Sequence, residues 1–155
     1  MVAAVPYVEG LLKPETEDWA TEHGADLDLL GAEDDAYWGW MRQRWQRGSD
    51  FMVVEQDILP PAWAIERLER CPRPWCGFHY FVAARSAVLA LGCVRFRARL
   101  MARHPDLLDQ VGMVTGDGLP AKDWRRLDVR MDRALRALGY RPHDHGWTQH
   151  LHRYF

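Results

Sequence analysis

Apolar runs bounded by polar or turn-forming residues divide the chain into alternating strand-like and helix-like segments. Residues 2–8 (VAAVPYV) are almost continuously apolar, as in a strand covered on both faces. Pro14 then opens a helix carrying Trp19, which Gly24 stops, and residues 26–30 (DLDLL) make a second short strand. In DAYWGWMRQRWQR, Trp38, Met41 and Trp45 recur on one helical face, with Asp34 or Asp35 before the first turn and Gly48 after the last. Residues 51–58 (FMVVEQDI) read as a strand whose polar residues arrive at its carboxyl end. Pro60 and Pro61 suit the opening of a helix over 62–70, which ends before Cys71-Pro72.

Farther on, residues 75–82 (WCGFHYFV) and 88–96 (VLALGCVRF) read as strands, and a helix over 97–104 ends at Pro105. Gly112, Gly116, Gly118 and Pro120 make 112–122 an irregular surface loop and a candidate lid. Asp123 caps a helix with Leu127, Met131, Leu135 and Leu138 on one face, closed by Gly139. Strands alternating with helices predict one α/β domain with a mainly parallel sheet.

The chain has 155 residues, the size of one domain. It has no apolar run long enough to span a bilayer and no secretory leader pattern over residues 1–30, so no membrane partner and a cytoplasmic location are expected. Twenty Lys plus Arg against 22 Asp plus Glu leave no general attraction to a phosphate backbone. The basic residues are nevertheless Arg except for Lys13 and Lys122, and guanidinium forks onto phosphates, so a local anion site stays open. Cys71, Cys76 and Cys93 are too few for a disulfide scaffold; a zinc set of Cys71, Cys76, His79 and Cys93 can be drawn, but buried free thiols are the simpler reading.

Two carboxylates, Glu55 and Asp57, stand two apart in the predicted strand 51–58 and leave one face at the end where open α/β sheets bind ligands. Unless they are merely solvated, their mutual repulsion calls for a divalent cation, Mn2+ or Mg2+, completed by substrate phosphate oxygens. The tail PHDHGWTQHLHRYF holds His143, His145, His150 and His152, four of the seven histidines, in 13 residues. His150 and His152 share a face if the tail is extended, and imidazole suits manganese or zinc. A solvated terminus and a separate zinc site of these histidines with Asp144 are the competing readings. Asp128 is either an exposed acid paired with Arg125 or a site residue. Trp75, Trp124 and Trp147 lie near the carboxylate-rich segments as stacking platforms for a sugar or base.

Taken in order, these segments resemble small GT-A-fold nucleotide-sugar glycosyltransferases of the kind encoded by actinobacteria and their phages. The resemblance runs from about Val5 to the C-terminus and rests on DAYWGWMRQRWQRG, DFMVVEQDILPP, LGCVRFRARLMARHP and LDVRMDRALRALGYR. It implies a GT-A-like, Rossmann-like sheet flanked by helices, and metal-dependent transfer of sugar from a nucleoside-diphosphate-sugar donor to a hydroxyl acceptor. Glu55-Gln56-Asp57 stands where the family has Asp-X-Asp, so Asp57 would hold the metal and Glu55 a metal-bound water or the donor ribose. Asp128 takes the place of the general base, and His150 or His152, with His145 in reserve, that of a C-terminal metal ligand. Asp26, Asp28, Asp34 and Asp35 lie where such folds contact base and ribose, with Asp35 carried forward as a donor contact, and Trp75, Trp124 and His145 as substrate contacts. The acceptor would be a small molecule, a glycan or a modified DNA base, so nucleic acid enters only as acceptor. Glu replaces the first acid of the triplet, Leu127 replaces the acid beside the base, and the opening strand keeps only Pro6-Tyr7 of the family's Pro-X-Tyr-Asn. A non-catalytic nucleotide-sugar or metal-binding module with the same fold is the alternative.

Overall fold

In the computed structural model, which describes residues 1–83, 86–88 and 91–151, strands and helices alternate through the first half of the chain. The elements are β1 (Val2–Val8), α1 (Pro14–His23), β2 (Asp26–Leu30), α2 (Ala36–Arg47), β3 (Phe51–Val54), β4 (Ile58–Leu59), α3 (Ala64–Arg70) and β5 (Trp75–Ala83). They continue with β6 (Ser86–Val88), β7 (Cys93–Phe96), α4 (Ala98–Arg103), α5 (Leu107–Val111), α6 (Trp124–Ala137), β8 (His143–Trp147) and β9 (Gln149–His150). The main sheet is ordered β2-β1-β3-β7-β5-β6, with β8 also paired to β5. β1, β2, β3, β5 and β8 run one way and β6 and β7 the other, so the sheet is mostly parallel. The α/β fold with helices flanking such a sheet is the predicted one.

Successive side chains of a strand point to opposite faces, and here both faces are covered. Ala4, Phe51, Val53, Trp75, Val94 and Phe96 enter a core with Met41 and Trp45 of α2, Leu100 of α4, Leu107 of α5 and Leu127 and Met131 of α6. Ala3, Val5, Met52, Val54, Phe78 and Cys93 enter a second core with Trp19 and Ala20 of α1 and Ala64 and Leu68 of α3. Each fully buried side chain of valine size or larger contributes about 1.5–3 kcal/mol, and this explains why β1 and β3 carry so little polarity.

The departures from expectation are local. The predicted strand 51–58 breaks after Val54, and Glu55, Gln56 and Asp57 form a turn before β4. The predicted strand 88–96 supplies the end of β6 and all of β7, but Leu91 and Gly92 lie between them in neither. In α2 the deeply buried tryptophans are Trp40 and Trp45, while Trp38 is partly buried and donates Nε1–H to the Leu108 carbonyl at 2.8 Å. Asp123 caps α6 as expected, its side chain accepting from the Arg125 amide, and Gly139 follows the helix with φ of 84°. Among the described residues no helix is long and apolar enough to cross a membrane.

Candidate functional site

The chain leaves β1, forms β2 on one side of it and returns to form β3 on the other. Where strand order reverses in this way, the loops at the carboxyl ends part and leave a crevice. A cleft of about 530 Å³ opens there, lined by Tyr7 and Val8 at the end of β1, Leu30 and Gly31 at the end of β2, and Glu55, Gln56 and Asp57 after β3. Tyr37, Tyr80, Asp128 and His150 form its other walls, with Lys13, Trp124 and Arg125 at the margin. This volume falls in the range of small-molecule sites, roughly 300–1,000 Å³.

Strand alternation is not what brings Glu55 and Asp57 to the cleft. A turn does, closed by the Ile58 amide donating to the Glu55 carbonyl at 3.0 Å. The Glu55 amide donates to the Gly92 carbonyl at 2.9 Å, and Gln56 fixes the turn to its neighbours. Its side-chain oxygen accepts from the Val8 amide at 2.8 Å and its carbonyl from the Lys13 amide at 2.9 Å. The middle residue of the triplet therefore ties β1, α1 and β3 together, a role invisible in the sequence.

Glu55 receives the Tyr37 hydroxyl at 3.3 Å and the Tyr80 hydroxyl at 3.4 Å. Its pKa is nevertheless pushed up to about 8, first by burial and then by the negative charges of Asp128 and Asp57. At neutral pH the carboxyl is thus mostly protonated, because three acids share one poorly solvated corner. The same surroundings raise both tyrosine hydroxyls well above their ordinary range, burial being the larger cause.

His150 reaches this corner through β9, which pairs antiparallel with β4 so that His150 stands opposite Ile58. The Leu151 amide donates to the Asp57 carbonyl at 2.7 Å and the Thr148 hydroxyl to the Leu59 carbonyl at 2.8 Å. The tail is therefore built into the fold as far as Leu151. His150 Nε2 lies 3.1 Å from an Asp57 carboxylate oxygen and Nδ1 3.0 Å from the Phe81 carbonyl. Both of these neighbours offer acceptor oxygens, which favours the protonated ring; the Asp57 hydrogen bond is the main reason its pKa is raised. His152 lies outside the described residues.

The expected pairing of Asp128 with Arg125 is absent. Arg125 Nε donates to Asp123 at 2.8 Å, and Nη2 lies 3.3 Å from Asp34. Asp128 faces the cleft from the first turns of α6, accepts the Val129 amide at 2.6 Å, and forms no ion pair among the described residues. Burial is the chief cause of its raised pKa.

Trp124 lines the cleft and is 53% exposed. Asp35 is exposed before α2 and does not line the cleft; Glu33 and Tyr37 do. Asp26 and Asp28 are engaged by Arg44, and Asp28 also accepts from Trp40 Nε1, which removes them from a ligand role. Trp75 is not a stacking platform: it is 2% exposed, packs against Phe96 in the core and stands at the opposite end of β5 from Tyr80. His145 lies away from the cleft, on β8, with burial lowering its pKa. Trp147 is exposed and stacks on Phe81 at 4.3 Å. Sequence reasoning missed Tyr37, Tyr80, Gln56 and Lys13; the only available signal was Gly92, a small residue that makes room for a ring.

The donor chemistry of the corner fits a hard or borderline divalent cation: a carboxylate touching an imidazole, with two further carboxyls, Glu55 and Asp128, of which Asp128 helps to raise the pKa of Glu55. Glu55, Asp57 and His150 do not, however, bring three ligand atoms within 4.8 Å of one another; among the described residues only Cys71, His143 and His145 do so. Asp57 and His150 are thus the paired ligands on offer, with Glu55 behind them.

No protein-family model matches the chain, and no curated protein matches its sequence. Solved structures do match its fold. A glycosyltransferase involved in the glycosylation of the major capsid of PBCV-1 aligns with TM-score 0.54 and 11% identity, covering 94% of this chain and 83% of its own. The A197 protein from STIV aligns with TM-score 0.56 and 9% identity over 99% and 87% of the two chains. A CMP:2-keto-3-deoxy-manno-octonic acid synthetase complexed with CTP aligns with TM-score 0.49 and 9% identity over 95% and 90%. At these identities the likeness is one of fold: the chain has the fold of a solved glycosyltransferase.

Proposed function

We propose that the protein is a metal-dependent glycosyltransferase that moves a sugar from a nucleoside-diphosphate sugar to a hydroxyl acceptor. The observation that carries this reading is the meeting of Glu55, Asp57, Asp128 and His150 in one cleft at the strand-order switch point. A diphosphate entering so acidic a corner requires a counter-cation. Asp57 and His150 would hold Mn2+ or Mg2+, which when bound neutralises the charge of the leaving diphosphate. Nε2 of His150 would have to be free of its proton to bind the cation, and Glu55, once ionised, would add negative charge beside it. Lys13, in the cleft lining, offers a cationic hydrogen bond to a phosphate oxygen. Tyr7, Leu30 and Gly31 offer a largely apolar wall for the nucleoside, and Trp124 a face for base or sugar. Asp128 is the acid placed to take the acceptor proton: its raised pKa makes it a better base than a solvated carboxylate. The similar fold of the PBCV-1 glycosyltransferase supports this reading.

The test is nucleotide release from a panel of nucleoside-diphosphate sugars with Mn2+ or Mg2+. Donor hydrolysis that requires the metal and is lost in Asp57→Asn supports the enzyme. One observation favours the second reading, a non-catalytic nucleotide-sugar module: the Glu55, Asp57 and His150 ligand atoms are not gathered into one coordination sphere. Metal-dependent donor binding with no turnover on any donor or acceptor would decide for that module.

A further inference from the structure

On the sheet face that carries Cys76 and Phe78, and away from the cleft, a sulfur and two imidazoles meet. Cys71 ends α3, and His143 and His145 are two apart on β8, so their side chains share a face. β8 runs parallel to β5 with His143 opposite Cys76, which places that shared face over α3. One ligand atom from each of Cys71, His143 and His145 falls within 4.8 Å of the others. Cys71 Sγ is 3.3 Å from His143 Nδ1, and the two imidazole centroids are 4.4 Å apart. In tetrahedral zinc sites, bond lengths of 2.3 Å to sulfur and about 2.0–2.1 Å to nitrogen set ligand atoms roughly 3.3–3.6 Å apart, so the Cys71–His143 contact already has the spacing of a coordination edge.

Two further observations point to a missing ligand. Both ring nitrogens of His145 are shielded from solvent and have no hydrogen-bond partner among the described residues. A shielded imidazole with nothing to donate to or accept from is costly, and a metal ion would satisfy one of its two nitrogens. Arg95, completely buried, donates to Cys76 Sγ at 3.1 Å and to the Cys71 carbonyl at 3.0 Å and pairs with no carboxylate among the described residues. A thiolate at this corner would meet a positive charge already in place.

We propose that Cys71, His143 and His145 form a tetrahedral zinc site whose fourth position is taken by water, bonding the end of α3 to the edge strand β8. A thiolate with two imidazoles selects zinc over magnesium or manganese, so this site is chemically distinct from the oxygen-rich cleft. Neither zinc set drawn from the sequence forms as such. Cys93 is buried in the second core and His79 turns to Asp144 at 2.8 Å, so the site takes Cys71 from one set and His143 and His145 from the other.

The test uses the full chain, reduced by a phosphine and stripped with a chelator, titrated with Co2+ and then Zn2+. The expected result is a thiolate-to-cobalt charge-transfer band saturating at one Co2+ per chain, displaced by Zn2+, with a Zn2+-dependent rise in Tm. Cys71→Ser should remove the band, and His145→Gln should weaken Zn2+ binding roughly 100-fold or more. Should either variant fail to fold, His143→Gln, at an exposed residue, carries the same expectation as His145→Gln. Asp57→Asn should leave band and affinity unchanged, which separates this site from the cleft whatever the cleft does. A cobalt complex without the thiolate band, or a band and affinity that survive Cys71→Ser and the histidine variant, overturns the assignment.

Discussion

His150 is 93 residues from Asp57 in the chain and 3.1 Å from it in space. The contact is made by an imidazole and a carboxylate in a cleft that also holds Glu33, Glu55 and Asp128, so it has the character of a placeholder for a stronger cation. Were a metal to bind there, Nε2 would have to be free of its proton, so binding would release protons and strengthen with pH.

If Asp57 and His150 hold the metal that carries a nucleoside diphosphate, Mn2+ and the diphosphate together should raise Tm by more than the sum of their separate effects. Asp57→Asn should abolish that excess, and it should lower the Tm of the metal-free protein only by what the His150 contact contributes. Differential scanning fluorimetry in the four combinations measures it; an excess that persists in Asp57→Asn refutes the ligand assignment.

Glu55 makes a pH prediction whose sign is fixed. Its pKa rises from an ordinary 4.5 to about 8 in the fold, so the protein retains a proton that the unfolded chain has lost. Its stabilising contribution is full below about 4.5 and disappears as pH climbs through about 8. His150, also raised, acts in the same direction above its ordinary range. Without metal, the urea midpoint of the wild type should fall from about pH 5 to about pH 8.5, and Glu55→Gln should show a shallower fall. Parallel profiles for the two proteins would contradict the burial of Glu55 as the cause.

Asp128 has no guanidinium partner to lose, so Asp128→Asn should alter stability by no more than about 1 kcal/mol. Asn fills the same space but cannot accept a proton at neutral pH, so transfer to a confirmed acceptor should drop roughly 100-fold or more with donor affinity retained. Transfer within a fewfold of wild type would remove Asp128 as the base.

Gly92 leaves no room for a side chain: an added Cβ would lie 2.3 Å from the Tyr80 ring. Gly92→Ala should therefore displace Tyr80 from Glu55, at about 1–3 kcal/mol of stability. Tyr80→Phe removes only the hydroxyl and should cost less. Equal stability of Gly92→Ala and wild type in urea titration would show that the ring moves freely.

The sequence reading succeeded where periodicity was decisive. β1 and α6 were legible because a continuous apolar run and a stripe of three leucines and a methionine admit one interpretation each. The acidic turn after β3 was placed correctly but for the wrong reason, since no local pattern distinguishes two further strand residues from a turn held by Gln56 across to Val8. The expectation for Trp75 fails because nearness to carboxylate-rich segments along the chain does not tell whether a ring faces a ligand or Phe96. Tyr37 and Tyr80 went unseen because only the tertiary fold brings residues 18 and 25 positions from Glu55 onto its carboxyl. The grouping of Cys71 with His143 and His145 was equally hidden, because it depends on β8 lying beside β5.

Among the described residues the pairing of β9 with β4 spans two residues on each side, with a few flanking hydrogen bonds, whereas every residue of β1 is paired, Val2–Ala4 to β3 and Ala4–Val8 to β2. Segments held by so short a ladder detach at a free energy well below that of global unfolding. The wall of the cleft that carries His150 should therefore open more readily than the middle of the sheet: amide exchange at Gln149–His150 should outpace that of β1, and a bound ligand that grips His150 should slow it. Access and capture would then be governed by the same short stretch of backbone.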